Sequence, residues 1–299
     1  MTASGGARVL RVVTTAAWLA GDLSRQDRVP VTHDLGLWAP ADAGHVAWWM
    51  PGQHVARLEA SGITPSLWTP DPGLIANLPA EVTGRTIHVC TLADLADGTA
   101  GNTMGGIIGA DRQERAFMKP ADHKIPGLPA GKWTLPEFVA AARAARFPAG
   151  GLVLVSGIVH FTAEYRVFVL DGEPVAASGY LIDGHTWDEW DPGDLPDTGE
   201  AITFARRVLT LSADLPVPRG WVLDVGLTTG GSWAVVEANP AWSSNPYWAT
   251  EAGVNRAGTA EPGAGAVVET ILAAQVAGNQ GAGARWLPLR AGRALPVRS

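Results

Sequence analysis

The chain carries a single cysteine, Cys90, in 299 residues. One thiol excludes an internal disulfide and a cysteine-based zinc site, and it suits a reducing, cytoplasmic setting. Long apolar runs are missing too: none approaches the roughly 18 to 20 residues that cross a bilayer, so no membrane partner is expected. The N-terminal stretch MTASGGARVLRVV turns polar too soon for a signal peptide. Positive charge is scarce, with 22 Lys and Arg against 29 Asp and Glu and a formal net charge of -7. That balance argues against nucleic acid as a partner and favours a small molecule. The 7 histidines are scattered without an HExxH pattern. The glycine-rich stretch ADGTAGNTMGGIIGAD, residues 96–111, has neither GxGxxG spacing nor a GK[ST] ending, so it reads as a linker rather than a phosphate loop.

What is present is apolar and finely divided. At 46% hydrophobic residues the chain can bury a substantial core, as one large or two modest domains. Its 13 tryptophans are many for this length, and they read mostly as packing at element ends, with lining of a ligand cleft as the other use. Val9–Val13 predicts a buried strand, residues 48–63 a strand end and short helix, and residues 85–90 a further strand. This alternation gives a small α/β domain over about residues 1–100. Residues 115–120 (RAFMKP) then predict a strand ending at Lys119 and Pro120, residues 136–147 a helix, and residues 152–159 a strand. Residues 164–181 predict a hairpin turning at Asp171-Gly172. In an unbroken register Glu164 and Arg166 share a face with Ala177 and Gly179, and Ser178 and Tyr180 fall on the other. Residues 183–200 hold seven acidic residues and no Lys or Arg, a solvated loop or a lid. Residues 201–211 and 263–277 predict helices, and the arginine-rich C-terminal run a surface tail.

The most informative stretch is WVLDVGLTTGGSWAVVEANPAW, residues 221–242. It predicts two strands joined through Thr229-Gly230-Gly231-Ser232. With Gly230 and Gly231 at the centre of the turn, Asp224 lies opposite Glu237, and Asn239 follows on the same face. Leu223, Val225 and Leu227 take the core face with Ala234, Val236 and Ala238, which leaves the acidic face toward a cleft. Facing carboxylates repel unless a cation lies between them, and oxygen ligands of this kind suit Mg2+.

Taken in order, the strand-end Lys119, the apolar strand from Leu152, the E-x-R of Glu164 to Arg166, and the D…ExNP set of Asp224, Glu237 and Asn239 resemble the ATP-grasp superfamily, in particular its compact RimK-like ligases. The resemblance implies an α/β (α+β) protein of ATP-grasp fold. A small N-terminal α/β domain (1–100) would precede two α+β subdomains (101–182, the lid; 183–299, the metal-binding part) that clasp ATP. It implies that Lys119 holds ATP phosphates, with Lys124, His123 or Lys132 of the following loop beside them, and that Val155, Ser156 and Ile158 present backbone groups to adenine. Glu164 would accept from the ribose hydroxyls, and Arg166 would face the transferred phosphoryl group. Asp224, Glu237 and Asn239 would ligate one or two Mg2+ ions. The upstream basic residue common in the family has Arg85, Arg112 and Arg115 as candidates. Tyr180 stands about where many members carry a substrate arginine, so peptide substrates are not implied.

The chemistry implied is activation of a carboxylate as an acyl phosphate, followed by attack of a nitrogen nucleophile. Length and N-terminal region are further similar to the family's cyclo-ligase branch. That similarity implies a small polar amino acid, O-ureido-D-serine, whose own ureido nitrogen closes a ring. An intermolecular carboxylate-amine ligase and a nucleotide-binding regulator without turnover are the alternatives. Ser243, Ser244 and Asn245, in NPAWSSNPYW, are candidates to hold the substrate, or else form a turn. With the acidic face on a cleft, Asp224→Asn removes metal charge and no core contact, so it should cut turnover severely and leave the fold intact. A homo-oligomer is compatible with the chain.

Overall fold

The computed structural model describes residues 9–38, 43–100, 106–108, 114–190, 196–251, 263–276 and 283–289. These fall into two compact units, neither continuous in sequence. One comprises Met1–Asp71, Thr162–Leu227 and Val236–Ser299; the other comprises Pro72–Phe161 and Thr228–Val235. The three consecutive segments read from the sequence are therefore interleaved, because sheet partners come from distant stretches. Half of the expected linker, residues 96–111, lies outside the described residues, as does Arg112.

Along the chain the strands are β1 (Val9–Val13), β2 (Val31–Asp34), β3 (Val46–Trp49), β4 (Trp68–Thr69), β5 (Ile87–Thr91), β6 (Ala116–Pro120), β7 (Gly131–Trp133) and β8 (Leu152–Ser156). They continue with β9 (Phe161–Leu170), β10 (Glu173–Ile182), β11 (His185–Thr186), β12 (Gly220–Thr228), β13 (Trp233–Asn239), β14 (Thr250–Glu251) and β15 (Ala284–Arg285). The helices used below are α1 (Ala17–Leu23), α2 (Val55–Ala60), α3 (Ala80–Thr83), α4 (Leu92–Asp97), α5 (Leu135–Ala144), α6 (Gly199–Leu211) and α7 (Ala264–Ala273).

In the first unit, β1 pairs in parallel with β2 and with β3. Parallel neighbours need a covering layer, and the apolar side of α1, with Leu19, Ala20 and Leu23 buried, belongs to that core. A second sheet runs β11-β10-β9-β12-β13, with β14 on β10. Its β9–β10 hairpin turns at Asp171 (φ 50°) and Gly172 (φ 85°), both left-handed as a two-residue primed turn requires. Strand β12 is buried from Gly220 to Gly226 on both faces, Asp224 included. Of the acidic face expected to open on a cleft, Asp224 is hidden, while Glu237 and Asn239 on β13 are half-exposed. Val222, on the same side of the strand as Asp224, joins the main core cluster. At the head of β12, a Cβ on Gly220 would meet the Thr270 carbonyl oxygen at 2.1 Å, so only glycine allows α7 to approach so closely. The C-terminal run is no free tail over its described part: β15 pairs with β4, and Trp286 is buried edge-on to Trp242 at 5.5 Å.

In the second unit an antiparallel sheet runs β5-β8-β6-β7. Residues 87–91 thus pair with β8 and not with the parallel strands of residues 9–49, since an apolar strand carries no mark of its partner. Helix α5 opens on a capping box, with Thr134 accepting from the Glu137 N–H and the Glu137 carboxylate accepting from the Thr134 N–H. Phe138, with no exposed surface, anchors it beside Trp133. The tip of the β12–β13 hairpin also belongs here. Its turn is centred on Thr229 and Gly230: the Gly231 N–H donates to the Thr228 carbonyl (2.8 Å) and the Thr228 N–H to that of Ser232 (2.9 Å). Gly231, expected inside the turn, follows it at φ 75°.

Candidate functional site

The two units carry different parts of the expected set. In the second unit, Lys119 projects from β6 and is half-buried, and Lys124 is exposed in the following loop. Val155 and Ser156 are fully buried in β8 between β5 and β6, so the ladders engage their backbone groups. The chain leaves the sheet at Gly157, whose N–H donates to the Thr86 carbonyl, and Ile158 follows outside any strand. Arg85 donates to the carbonyls of Thr83 and Val235 at 2.9 and 2.8 Å, which ties α3 to the hairpin tip. Arg115 donates to the Lys132 carbonyl and to Glu137. Exposed Lys132 and His160 stand 3.5 Å apart.

The first unit gathers Glu164, Arg166, Asp224, Glu237 and Asn239 around one spot. Arg166 binds Asp224 bidentately, Nε to Oδ1 at 2.9 Å and Nη2 to Oδ2 at 2.7 Å. Its Nη1 donates to the Asn245 carbonyl at 3.2 Å. Asn239 Nδ2 donates to Asp224 (2.9 Å) and to Glu237 (2.8 Å), which puts the three side chains on one face. Asp224 has no exposed surface and Arg166 only 8%. Burial works against the charge on Arg166, but the adjacent Asp224 more than offsets this and lifts the guanidinium pKa above its usual range.

Tyr180 belongs to this face, which corrects the register read from the sequence. Strands β9 and β10 start in the expected register, with Glu173 opposite Leu170, but slip between Pro174 and Ala176 and again between Gly179 and Leu181. Each slip inserts one residue, and the second leaves Tyr180 unpaired and re-aims its side chain. Its hydroxyl donates to Glu164 Oε2 at 2.5 Å, and its ring lies 5.5 Å from the Arg166 guanidinium carbon. Arg166 faces Ser178 rather than Ala177, and Ser178 turns its own hydroxyl to the Gly179 carbonyl. Burial, then the nearby Asp224 and Glu164, push the Tyr180 phenol well above its ordinary pKa.

Of the three candidate substrate residues, Ser244 is buried; its hydroxyl donates to the Pro240 carbonyl and its own carbonyl accepts from Trp49 Nε1. The Asn245 side chain accepts from the Tyr247 N–H at 3.1 Å, an Asx-type turn. Ser243 is half-buried in the short turn of helix before them. The neighbouring Tyr247 carried no signal in the sequence, yet its ring centroid is 5.0 Å from the Arg166 guanidinium carbon.

Among the described residues no group of three or more His, Cys, Asp or Glu is placed to hold a metal ion; the set here is two carboxylates and an amide. One oxygen of Asp224 and one of Glu237 converge on the same amide group, at 2.9 and 2.8 Å from its nitrogen. The nitrogen and oxygen of an amide exchange by one rotation, and the oxygen would complete an all-oxygen set. Such donors fit a hard divalent cation.

The model of an ATP-grasp domain family, the second family of its clade, matches residues 82–257, more than half of the 299-residue chain. The chain belongs to this ATP-grasp family. Among solved structures it is similar to D-cycloserine synthetase DcsG at 17% identity and TM-score 0.50, over 88% of this chain and 98% of that one. The ATP-grasp ligase PsnB complexed with minimal precursor matches at 12% identity and TM-score 0.43, over 89% and 99% of the two chains. The D-alanine–D-alanine ligase from Bacillus anthracis matches at 10% and 0.45, over 92% and 99%. No curated protein matches the chain. The ATP-grasp family and fold support an ATP-dependent ligase with an α+β architecture, and no helix among the described residues is long and apolar enough to cross a membrane.

Proposed function

We propose that the protein is an ATP-dependent cyclo-ligase, cytoplasmic, that converts O-ureido-D-serine to the antibiotic D-cycloserine. The observation that carries the reading is the bidentate Arg166 on the face that also holds Asp224, Glu237 and Asn239. A planar guanidinium beside paired carboxylates is what the transfer of an anionic phosphoryl group between two anions needs. The fold likeness to D-cycloserine synthetase supports the family; the choice of substrate is the proposal.

The substrate carboxylate attacks the γ-phosphorus of ATP, ADP leaves, and an acyl phosphate forms. The ureido nitrogen bonded to oxygen then attacks the acyl carbon, expels phosphate and loses its proton. A five-membered ring results, and water removes the carbamoyl group as carbon dioxide and ammonia. Because nucleophile and electrophile share one molecule, the second step gains from enforced proximity. In this scheme Lys119 and Lys124 hold the phosphates as point charges. Ile158, past the ladder, presents backbone groups to adenine more readily than Val155 and Ser156, whose strand is paired on both sides. Glu164 accepts from the ribose, and Arg166 takes the phosphoryl oxygens in its fork. Ser243 and Asn245 line the amino-acid end, and Ser244, whose hydroxyl, N–H and carbonyl are all engaged, shapes the loop that carries them. Asp224, Glu237 and Asn239 would hold one or two Mg2+ ions, which neutralise phosphate charge when bound.

The decisive assay compares ADP and phosphate release with O-ureido-D-serine alone and with pairs of amino acids. Release with the ureido compound alone, and ring product by mass spectrometry, is expected. Silence there with release from a pair would replace the reading by an intermolecular ligase, and silence throughout by a regulator.

A further inference from the structure

Two stacked tyrosines stand side by side against Arg166. The Tyr180 and Tyr247 rings stack with centroids 5.3 Å apart and planes at 23°, and the guanidinium carbon lies 5.5 and 5.0 Å from their centroids. Two N–H groups along one edge of the guanidinium go to Asp224, and a third, on Nη1, goes to the Asn245 carbonyl. The surroundings fix both rings. Tyr180 is tied by its hydroxyl to Glu164. Tyr247 is a non-glycine residue in left-handed backbone at φ 52°, a costly conformation held by the Asn245 side chain on its N–H. Trp187 backs the Tyr247 ring at 5.5 Å, and Trp18 backs Trp187 at 4.5 Å.

A carboxylate that gives both oxygens to a buried guanidinium is closed to a second cation, because the newcomer meets the arginine's charge with little water to screen it. A triphosphate changes this balance: its oxygens compete for the arginine and free Asp224. We propose that Tyr180 and Tyr247 are positioning residues for Arg166, which keep it on Asp224 while the site holds no nucleotide and so withhold that carboxylate from a metal ion until a triphosphate draws the arginine away. The inference rests on the ligase reading above and adds an order of binding to it.

Side-chain NMR of the whole protein, following the Arg166 Nε–H resonance, tests this without any substitution. Mg2+ alone should leave the resonance in place, and Mg2+ with a non-hydrolysable ATP analogue should move it. A shift with Mg2+ alone, equal to that with the analogue, overturns the proposal and leaves the ligase reading standing. No shift under either condition overturns both. Mn2+ titrations followed by electron paramagnetic resonance give an independent readout. Tyr180→Leu and Tyr247→Leu should take up Mn2+ without nucleotide about tenfold more tightly than the wild type, the factor that loss of a desolvated cation–π contact allows. Tyr180→Phe, which keeps the ring, should stay near the wild type. Folded leucine variants with wild-type Mn2+ affinity would contradict the clamp.

Discussion

Two bidentate arginine-aspartate pairs of the first unit link the same two stretches of chain, and their geometry is nearly identical. Arg166 meets Asp224 at 2.9 and 2.7 Å, and Arg219 meets Asp171 at 2.6 and 2.8 Å. Their surroundings differ: side-chain exposure is 10% and 0% for the first pair and 52% for both members of the second. Water screens the outer pair and replaces either partner at little cost, whereas each inner partner depends on the other. Equal distances therefore do not mean equal energies. The inner pair couples its own stability to whatever ligand separates it; the outer one closes a turn.

The largest expected contrast is in stability. Arg166→Met strands a buried carboxylate and should cost about 3–5 kcal/mol in urea unfolding at neutral pH, while Arg219→Met should cost no more than about 1 kcal/mol. Similar losses would erase the distinction. Next comes activity. Asp224→Asn should lower turnover by at least ~100-fold, as removal of a transition-state electrostatic contact does, with Asp171→Asn close to wild type; steady-state ADP release measures both. Asp224→Asn should also unfold at lower urea, since it leaves Arg166 buried without a counter-charge. A smaller effect separates the pairs by salt: raising ionic strength should reduce the coupling energy of a double-mutant cycle for Arg219 and Asp171 and leave that of the inner pair nearly unchanged. The smallest is acid dependence. The hydrogen bond and charge of Arg219 hold the Asp171 carboxyl below its usual pKa. That stabilisation is present above the unfolded-state pKa and lost as pH falls through the folded one. Melting temperatures of wild type and Arg219→Met should thus differ at neutral pH and converge in acid.

The same strands show how far the sequence could be read. The turn at Asp171-Gly172 was legible because two adjacent residues tolerant of left-handed backbone, between apolar runs, admit few other structures. The common face of Asp224, Glu237 and Asn239 followed from strand periodicity. What periodicity could not convey is that the Asp224 end of that face is covered while Glu237 and Asn239 stay half-exposed, so a buried Asp224 was read as bordering a cleft. Nor could it convey the two slips in β10. A bulge adds one residue without a composition of its own, and past it every inference about facing moves by one position; Tyr180 was misplaced for that reason alone. Tyr247 was out of reach for a different cause, since its place beside Arg166 arises from a loop conformation held by Asn245. The family resemblance depended on residue types in order, which survive such shifts.

The interleaving of the two units bears on how the protein is made. Strand β4 finds its partner β15 only when residues 284–285 have been synthesised, and the hairpin tip 228–235 joins the body formed by 72–161 late in translation. Neither unit can be excised as one uninterrupted fragment. A protease that nicks an exposed connection should therefore leave pieces that remain associated, and a ribosome-bound chain should hold the inserted body waiting for its last strand while the surrounding unit is still open.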